Sequence, residues 1–266
     1  MSSNINTRDY WDHRFASGDW EQCGGRRQTT WFAEEQVLML RLPSSFAGSL
    51  LDFGCGLGDA LAVYRKRFPS ATLIGIDHSE AAVASCREKY SHIADFIAGP
   101  CNSIPEVGVI VASAVLEHIT DYRATVETLL SRCSELYVFV PYMEHPLCSE
   151  HVNRYDEDSF SSFETLETKV YCSRGWSEYG RALWVGVYLK NVLRLLLGRR
   201  LVHRRRMIMF RIKGRISSPR REVFPTRKEL RLSKAPALSS ANATLSSDGS
   251  SLVIGSEEGP LPTTHH

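Results

Sequence analysis

The chain has 266 residues, 43% hydrophobic and 23% charged, with a formal net charge of +2, the composition of a soluble globular protein. That length accommodates one α/β domain plus a modest extension. It excludes a membrane-spanning chain, since no apolar run approaches the roughly 20 residues a bilayer demands; the start MSSNINTRDYWD has no apolar h-region, and seven scattered cysteines without a CxxC pair fit reduced thiols in a cytoplasm.

In chain order, residues 1–9 are polar, and Tyr10, Trp11 and Phe15 then fall at helical spacing, which predicts a small lid-like helix. Residues 16–28, ASGDWEQCGGRRQ, are read as loop with Gly24 and Gly25 as its joint, and WFAEEQVLMLRLP (31–43) as an amphipathic helix ended by Pro43. Short Val, Ile and Leu runs then alternate with helical segments, the signature of βα units and a mostly parallel sheet. Strands are expected at 49–53, 72–77, 95–97, 107–113 and 135–141, and helices at 57–68, 80–90 and 121–132. A short helix over 156–163, a sixth strand at 168–173, a helix at 182–197 and a last strand in RRRMIMFRIKG complete the reading. Beyond Ser233 the composition turns to Ser, Ala, Gly, Pro and Thr, and disorder is expected. No internal repeat is visible.

The most informative stretch is LLDFGCGLGDAL, Leu50 to Leu61, where an apolar strand runs into three glycines that open a helix. Gly54, Gly56 and Gly58 remove Cβ where the backbone must turn sharply and approach a ligand, and the helix N-terminus faces polar ligand atoms. A second apolar run ends in Asp77, a strand-terminal carboxylate placed to accept the hydroxyls of a ribose. The dinucleotide fingerprint GxGxxG or GxGxxA is broken by Asp59 in its sixth position.

These residues resemble the first and second motifs of the class I S-adenosylmethionine-dependent methyltransferases, and the resemblance continues through ADFIAGPCNSIP, VGVIVASAVLEHITD and ELYVFVPY, covering roughly residues 10–213. It implies a Rossmann-like seven-stranded, mostly parallel sheet with helices on both faces and the last strand antiparallel. The implied organisation is an entry segment at 1–30, an S-adenosylmethionine-binding domain at 31–216 and a largely disordered extension at 217–266. By the same resemblance, backbone at Gly54, Cys55 and Gly56 with Asp52 would hold the methionine ammonium, Asp77 the ribose, and His78 would flank the adenine. Asn102 would meet the adenine amino group, Ser113 the methionyl group, and Trp11 and Arg14 would close over the cofactor, Arg14 on its carboxylate. Two departures stand out: Pro100 to Ser103 replace the usual acid after strand three, and Val107-Gly108 the usual acid at strand four.

Methyl transfer is an in-line displacement with a good leaving group already present, so the protein supplies alignment, and a base where the acceptor holds its proton tightly. Candidate bases are His151, then His145, then His118, with Glu150 and Tyr155 nearby; imidazole can take a hydroxyl proton near neutral pH. No metal is expected, because position 114 is Ala where some relatives carry the first acid of an ExxEH set. No NPPY-like sequence of amino-methylating nucleic-acid enzymes appears after strand four, which argues against nucleic acid and for a small molecule, sugar or lipid-linked glycan precursor, with O-methylation favoured. RNA or protein methylation, and a cofactor-binding scaffold without turnover, are the alternatives. The oligomeric state is left open.

Twelve of the 32 Lys and Arg residues lie between Lys190 and Arg221, a stretch without an acid, so the remainder carries 20 basic against 30 acidic residues. Such a segment fits a solvated edge or a peripheral contact with an anionic membrane surface at its inner face. Within 182–197, Lys190 and Arg194 share one helical face, as in a helix packed on the sheet; an interfacial membrane helix looks the same.

Overall fold

A computed structural model describes residues 5–22, 24–173, 180–199 and 206–217, without the side chains of 180–187. All of these fall in the first of two compact units, Met1–Glu222. The expected disordered extension lies outside the described residues except for its first position.

Seven strands form one sheet: β1 (Ser49–Phe53), β2 (Thr72–Asp77), β3 (Asp95–Ala98), β4 (Val107–Ser113), β5 (Cys133–Tyr142), β6 (Thr165–Cys172) and β7 (Arg206–Lys213). Their order is β3-β2-β1-β4-β5-β7-β6, parallel throughout except for β7, which runs antiparallel to both neighbours. Strand order reverses between β1 and β4, and that switch point opens a crevice beyond the carboxyl ends of the strands. The helices among the described residues are α1 (Arg8–Ala16), α2 (Asp19–Gln22), α3 (Gly25–Gln36), α4 (Asp59–Arg67), α5 (Glu80–Tyr90), α6 (Tyr122–Leu130) and α7 (Gly180–Leu196).

The central strands are continuous apolar runs because both faces are covered. Alternate residues of β1 show this, Leu50 joining one core with Leu61, Tyr64 and Phe68 of the α4 region, and Leu51 the other with Val126, Leu129 and Phe210. Each such side chain, fully buried, contributes about 1.5–3 kcal/mol. Ser79 caps α5 by accepting from the Ala82 N–H at 3.1 Å, and its own hydroxyl donates to Asp12 of α1 at 2.6 Å, fastening the amino-terminal helix to the sheet. Asp59, which spoiled the dinucleotide pattern, pairs with Arg26 of α3 at 3.1 Å and accepts from the Tyr90 hydroxyl at 2.6 Å, tying α3, α4 and α5 together.

Three local expectations are corrected. Residues 16–28 are not a loop: α2 forms there, and α3 starts at Gly25, crosses residue 30 and stops at Gln36, well short of Pro43. Arg26 and the buried Phe32, Ala33 and Gln36 give this polar-looking segment its helical register. Residues 156–163 form turns rather than a helix, with Asp156 accepting from the Ser159 hydroxyl at 2.7 Å, a local bond that competes with helix. The helix expected at 182–197 is present as α7, yet it does not bury its apolar residues on the sheet: Leu189, Leu195 and Leu196 are 60%, 69% and 77% exposed. Part of the basic stretch is absorbed by the fold, since Arg211 pairs with Glu135 at 2.6 Å, Lys213 with Glu164 at 2.8 Å, and Arg215 with Glu127.

Candidate active site

The β1–α4 turn is built around positive φ. Gly54 sits at +73°, and a Cβ there would come within 2.5 Å of Val115 Cγ2; Gly58 sits at +78°, with Cys86 Sγ at 3.0 Å. Only glycine fits either place without displacement. The Gly54 and Cys55 N–H groups donate to the Ile76 carbonyl at 2.8 and 3.0 Å, holding the turn against the end of β2. From there the Gly56 N–H donates to Asp77 Oδ2 at 2.8 Å, and the Ser79 N–H donates to Oδ1 at 2.9 Å. Each carboxylate oxygen keeps a second lone pair for a ligand hydroxyl.

Asp52, at the carboxyl end of β1, is buried, and burial together with Asp77 pushes its carboxyl up to about 8. Burial likewise raises Asp77, against its two backbone donors. Two neighbouring acids that resist ionising make a place for a cation, whose arrival restores their charge. Both face a cavity of about 1020 Å³ that also contains the glycine turn, Ile76, His78, Pro100, Cys101, Trp11 and Phe15. That is the upper end of the roughly 300–1000 Å³ of ligand pockets, with room for a cofactor and an acceptor together.

The same cavity continues past the end of β4. Ala114 takes φ +52°, a strained value for a residue with Cβ, and turns the chain into the short 3-10 helix Leu116–His118. The segment after β5 is pinned over it: the Asn153 side-chain amide donates to the Leu116 and Ile119 carbonyls at 3.1 and 2.7 Å, and the Val152 N–H to the Glu117 carbonyl at 2.8 Å. His151 is thereby set edge-on to His118, ring centres 4.9 Å apart, and Trp11 meets the other side of His118 at 5.1 Å.

Carbonyls only accept, so His118 Nδ1 donates to the Glu150 carbonyl at 3.2 Å. Burial, then the neighbouring His151, lowers His118 to about 4, leaving it neutral at physiological pH with an unprotonated Nε2. His151 Nδ1 is hydrogen-bonded to the Glu144 carboxylate. Burial alone would lower His151, but the Glu144 hydrogen bond and the charges of Glu117, Glu144 and Glu150 raise it. Glu117 is buried, and burial, eased by His151, moves its carboxyl up to about 7. One atom each of Glu117, His118 and His151 lies within 4.8 Å of the others, a grouping that a proton or a small cation can satisfy.

Trp11, Arg14, Asp52, Gly54, Cys55, Gly56, Asp77, His78 and Ser113 all line the cavity, as do His118 and His151. Cys55 turns its thiol inward, 2.9 Å from where a Gly75 Cβ would stand, so only its backbone faces the ligand. Arg14 already meets Asp19 at 2.8 Å and Glu150 at 3.1 Å. Two expected residues are elsewhere. Asn102 is exposed on the 3-10 turn Cys101–Ser103, and Gly99, Pro100 and Cys101 take the cavity wall in its place. His145 is exposed and engaged by Arg154 at 3.0 Å, because the chain turns between it and His151. Tyr155 is wholly buried, stacked on Phe160 at 5.8 Å. Sequence reading missed Glu144 and also Gln36, a buried amide that donates to Ser113 Oγ at 2.6 Å; a polar residue on the apolar side of a helix was the available signal for Gln36.

Residues 51–136 match the family described as methyltransferase domain, so the match covers the glycine turn, Asp77 and the β4 end. Over that segment the chain is similar to the class I S-adenosylmethionine-dependent methyltransferases. Among curated proteins, the chain is 33% identical over 103 residues to trans-aconitate 2-methyltransferase of Variovorax paradoxus (strain S110), covering 36% of this chain and 38% of that one. It is 38% identical over 85 residues to the Yersinia pestis (strain Pestoides F) protein of the same name, covering 30% and 32%. The matches therefore span well under half of the relatives' length. Similar folds include a methyltransferase in complex with the Trm112 methyltransferase activator of Haloferax volcanii (TM-score 0.56, 15% identity, 77% of this chain and 98% of that one). Coclaurine N-methyltransferase is another (0.50, 11%, 69% and 72%), as is the [4+2]-cyclase SpnF (0.50, 17%, 72% and 81%).

S-adenosylmethionine is the cofactor of this class, and the residues fit it. Its sulfonium and ammonium suit the reluctant acids Asp52 and Asp77, and its adenosine suits a strand-end carboxylate beside Ile76 and His78.

Proposed function

We propose that this chain is a methyltransferase that methylates a hydroxyl of a small molecule, a sugar or a lipid-linked glycan precursor. The observation that carries this reading is that one cavity contains both the glycine turn with Asp77 and the His118–His151 pair. Bound S-adenosylmethionine supplies an electrophilic methyl group. Asp77 would take the ribose hydroxyls, Asp52 the ammonium, and Arg14, shared with Glu150, the carboxylate. Trp11 and Phe15 would exclude water from the methyl group.

His151 is the proposed base. With Nδ1–H held by Glu144, its Nε2 lone pair can accept the acceptor's proton, and Glu144 stabilises the imidazolium that results, the division of labour of a carboxylate–histidine pair in acyl transfer. His118, neutral and fixed by the Glu150 carbonyl, would orient the acceptor through Nε2.

The trans-aconitate relatives support a small-molecule acceptor. A polycarboxylate like theirs is a poorer match here, because Glu117 and Glu150 line the acceptor end. The test is transfer of labelled methyl to a panel of hydroxylated small molecules and sugars, with trans-aconitate as the carboxylate control. Transfer to a hydroxyl supports the reading; transfer to trans-aconitate alone replaces it, and tight cofactor binding with no transfer to any acceptor favours a scaffold.

A further inference from the structure

We propose that α7 is an interfacial helix that lays its apolar side on an anionic lipid surface. At about 100° per residue, Tyr188, Leu189, Val192, Leu193, Leu195 and Leu196 form one contiguous arc, and Lys190, Asn191 and Arg194 the opposite one. A helix packed on its own domain turns the apolar arc inward. Here the order is inverted: in the described stretch from Tyr188 to Arg199 the two part-buried residues are Asn191 and Arg194, while every residue of the apolar arc is exposed, Tyr188 at 70% and Leu196 at 77%. A row of leucines left in water has a free-energy cost that only an apolar covering removes.

Charge decides what covers it. The stretch from Lys190 to Arg221 holds no acid, and in sequence Arg199 and Arg200 come after Leu197 and Gly198, with Arg204 to Arg206 close behind. A second copy of the chain, docking leucine to leucine, would bring two such basic runs together. An anionic bilayer meets both demands, taking the leucines into the boundary of the acyl region and the arginines among the headgroups. No helix among the described residues is long and apolar enough to cross a membrane, which fits a helix lying in the interface plane.

The test is co-sedimentation of the full chain with vesicles of phosphatidylcholine alone and of phosphatidylcholine mixed with phosphatidylglycerol. Binding to the mixed vesicles, weakening as salt is raised, is expected. Leu193→Glu with Leu196→Glu should reduce it roughly tenfold or more, and Lys190→Glu with Arg199→Glu at least about fivefold for each residue reversed. Thermal melts and S-adenosylhomocysteine binding check that both variants remain folded. Failure to bind mixed vesicles, or a wild-type dimer that the leucine variant splits without any vesicle binding, overturns the proposal.

Discussion

The Gly56 N–H donates to Oδ2 of Asp77 at 2.8 Å, a bond that joins the glycine turn of β1 to the end of β2. The residue that would read the ribose therefore also shapes the loop that would hold the methionyl end. Asp77→Ala should weaken S-adenosylhomocysteine binding by roughly 1–3 kcal/mol and loosen the turn as well. Calorimetric titration reads the first effect and exchange of the Gly56 amide the second; wild-type affinity in this variant would mean that the adenosine lies elsewhere.

Asp52 makes cofactor binding pH-dependent. Held up to about 8 in the free protein, it carries its proton at neutral pH, and an ammonium beside it lowers that value. Binding then expels a proton, so affinity increases as pH rises toward about 8 and stops gaining above it. Titrations in buffers of different ionisation heat count the proton, and zero release at pH 7 would remove Asp52 as the ammonium's partner.

The stability of the free protein has the opposite slope. An unfolded Asp ionises near 4, so between there and about 8 the folded state holds a proton that the unfolded state has lost, and stability falls as pH rises. Asp52→Asn removes that penalty. It should raise Tm at pH 8 by several degrees while weakening the cofactor, a trade of function for stability.

His151→Ala should lower kcat by about 10²–10⁴-fold with S-adenosylhomocysteine affinity unchanged. Because only the deprotonated ring is a base, the rate should climb with pH through the His151 pKa, which its acid neighbours raise above the ordinary value. Glu144→Gln takes away one of those neighbours and should move this limb to lower pH. An unmoved limb would show that another group is titrating.

Gly54→Ala puts a methyl group on Val115 at a φ of +73°, costing about 1–3 kcal/mol. A lower melting temperature together with weaker cofactor binding is expected. A melting temperature equal to wild type would mean that the turn relaxes freely.

Much of this architecture is readable in one dimension. β1, β2 and β4 were expected with the bounds they have, because a strand covered on both faces is an unbroken apolar run with abrupt ends. α5 was equally legible, since Ser79 caps it from one residue away. The glycines and Asp77 needed no tertiary information either: positive φ restricts residue type locally, and a strand-end acid follows the turn at a set distance.

What tertiary structure decided are the relations between residues whose chemistry is alike. His151 and His145 are the first and second candidate bases in sequence, and a loop pinned by Asn153 sends His145 to solvent beside Arg154 and His151 into the cavity against Glu144 and His118. The α2–α3 segment reads as loop from its glycines and becomes helix through Arg26 and the buried Phe32, both long-range contacts. α7 carries the periodicity of a core helix and stands with its leucines outward. Periodicity states that a helix has two sides; which side is buried depends on what lies beside it, and that is settled by the folded chain and its surroundings.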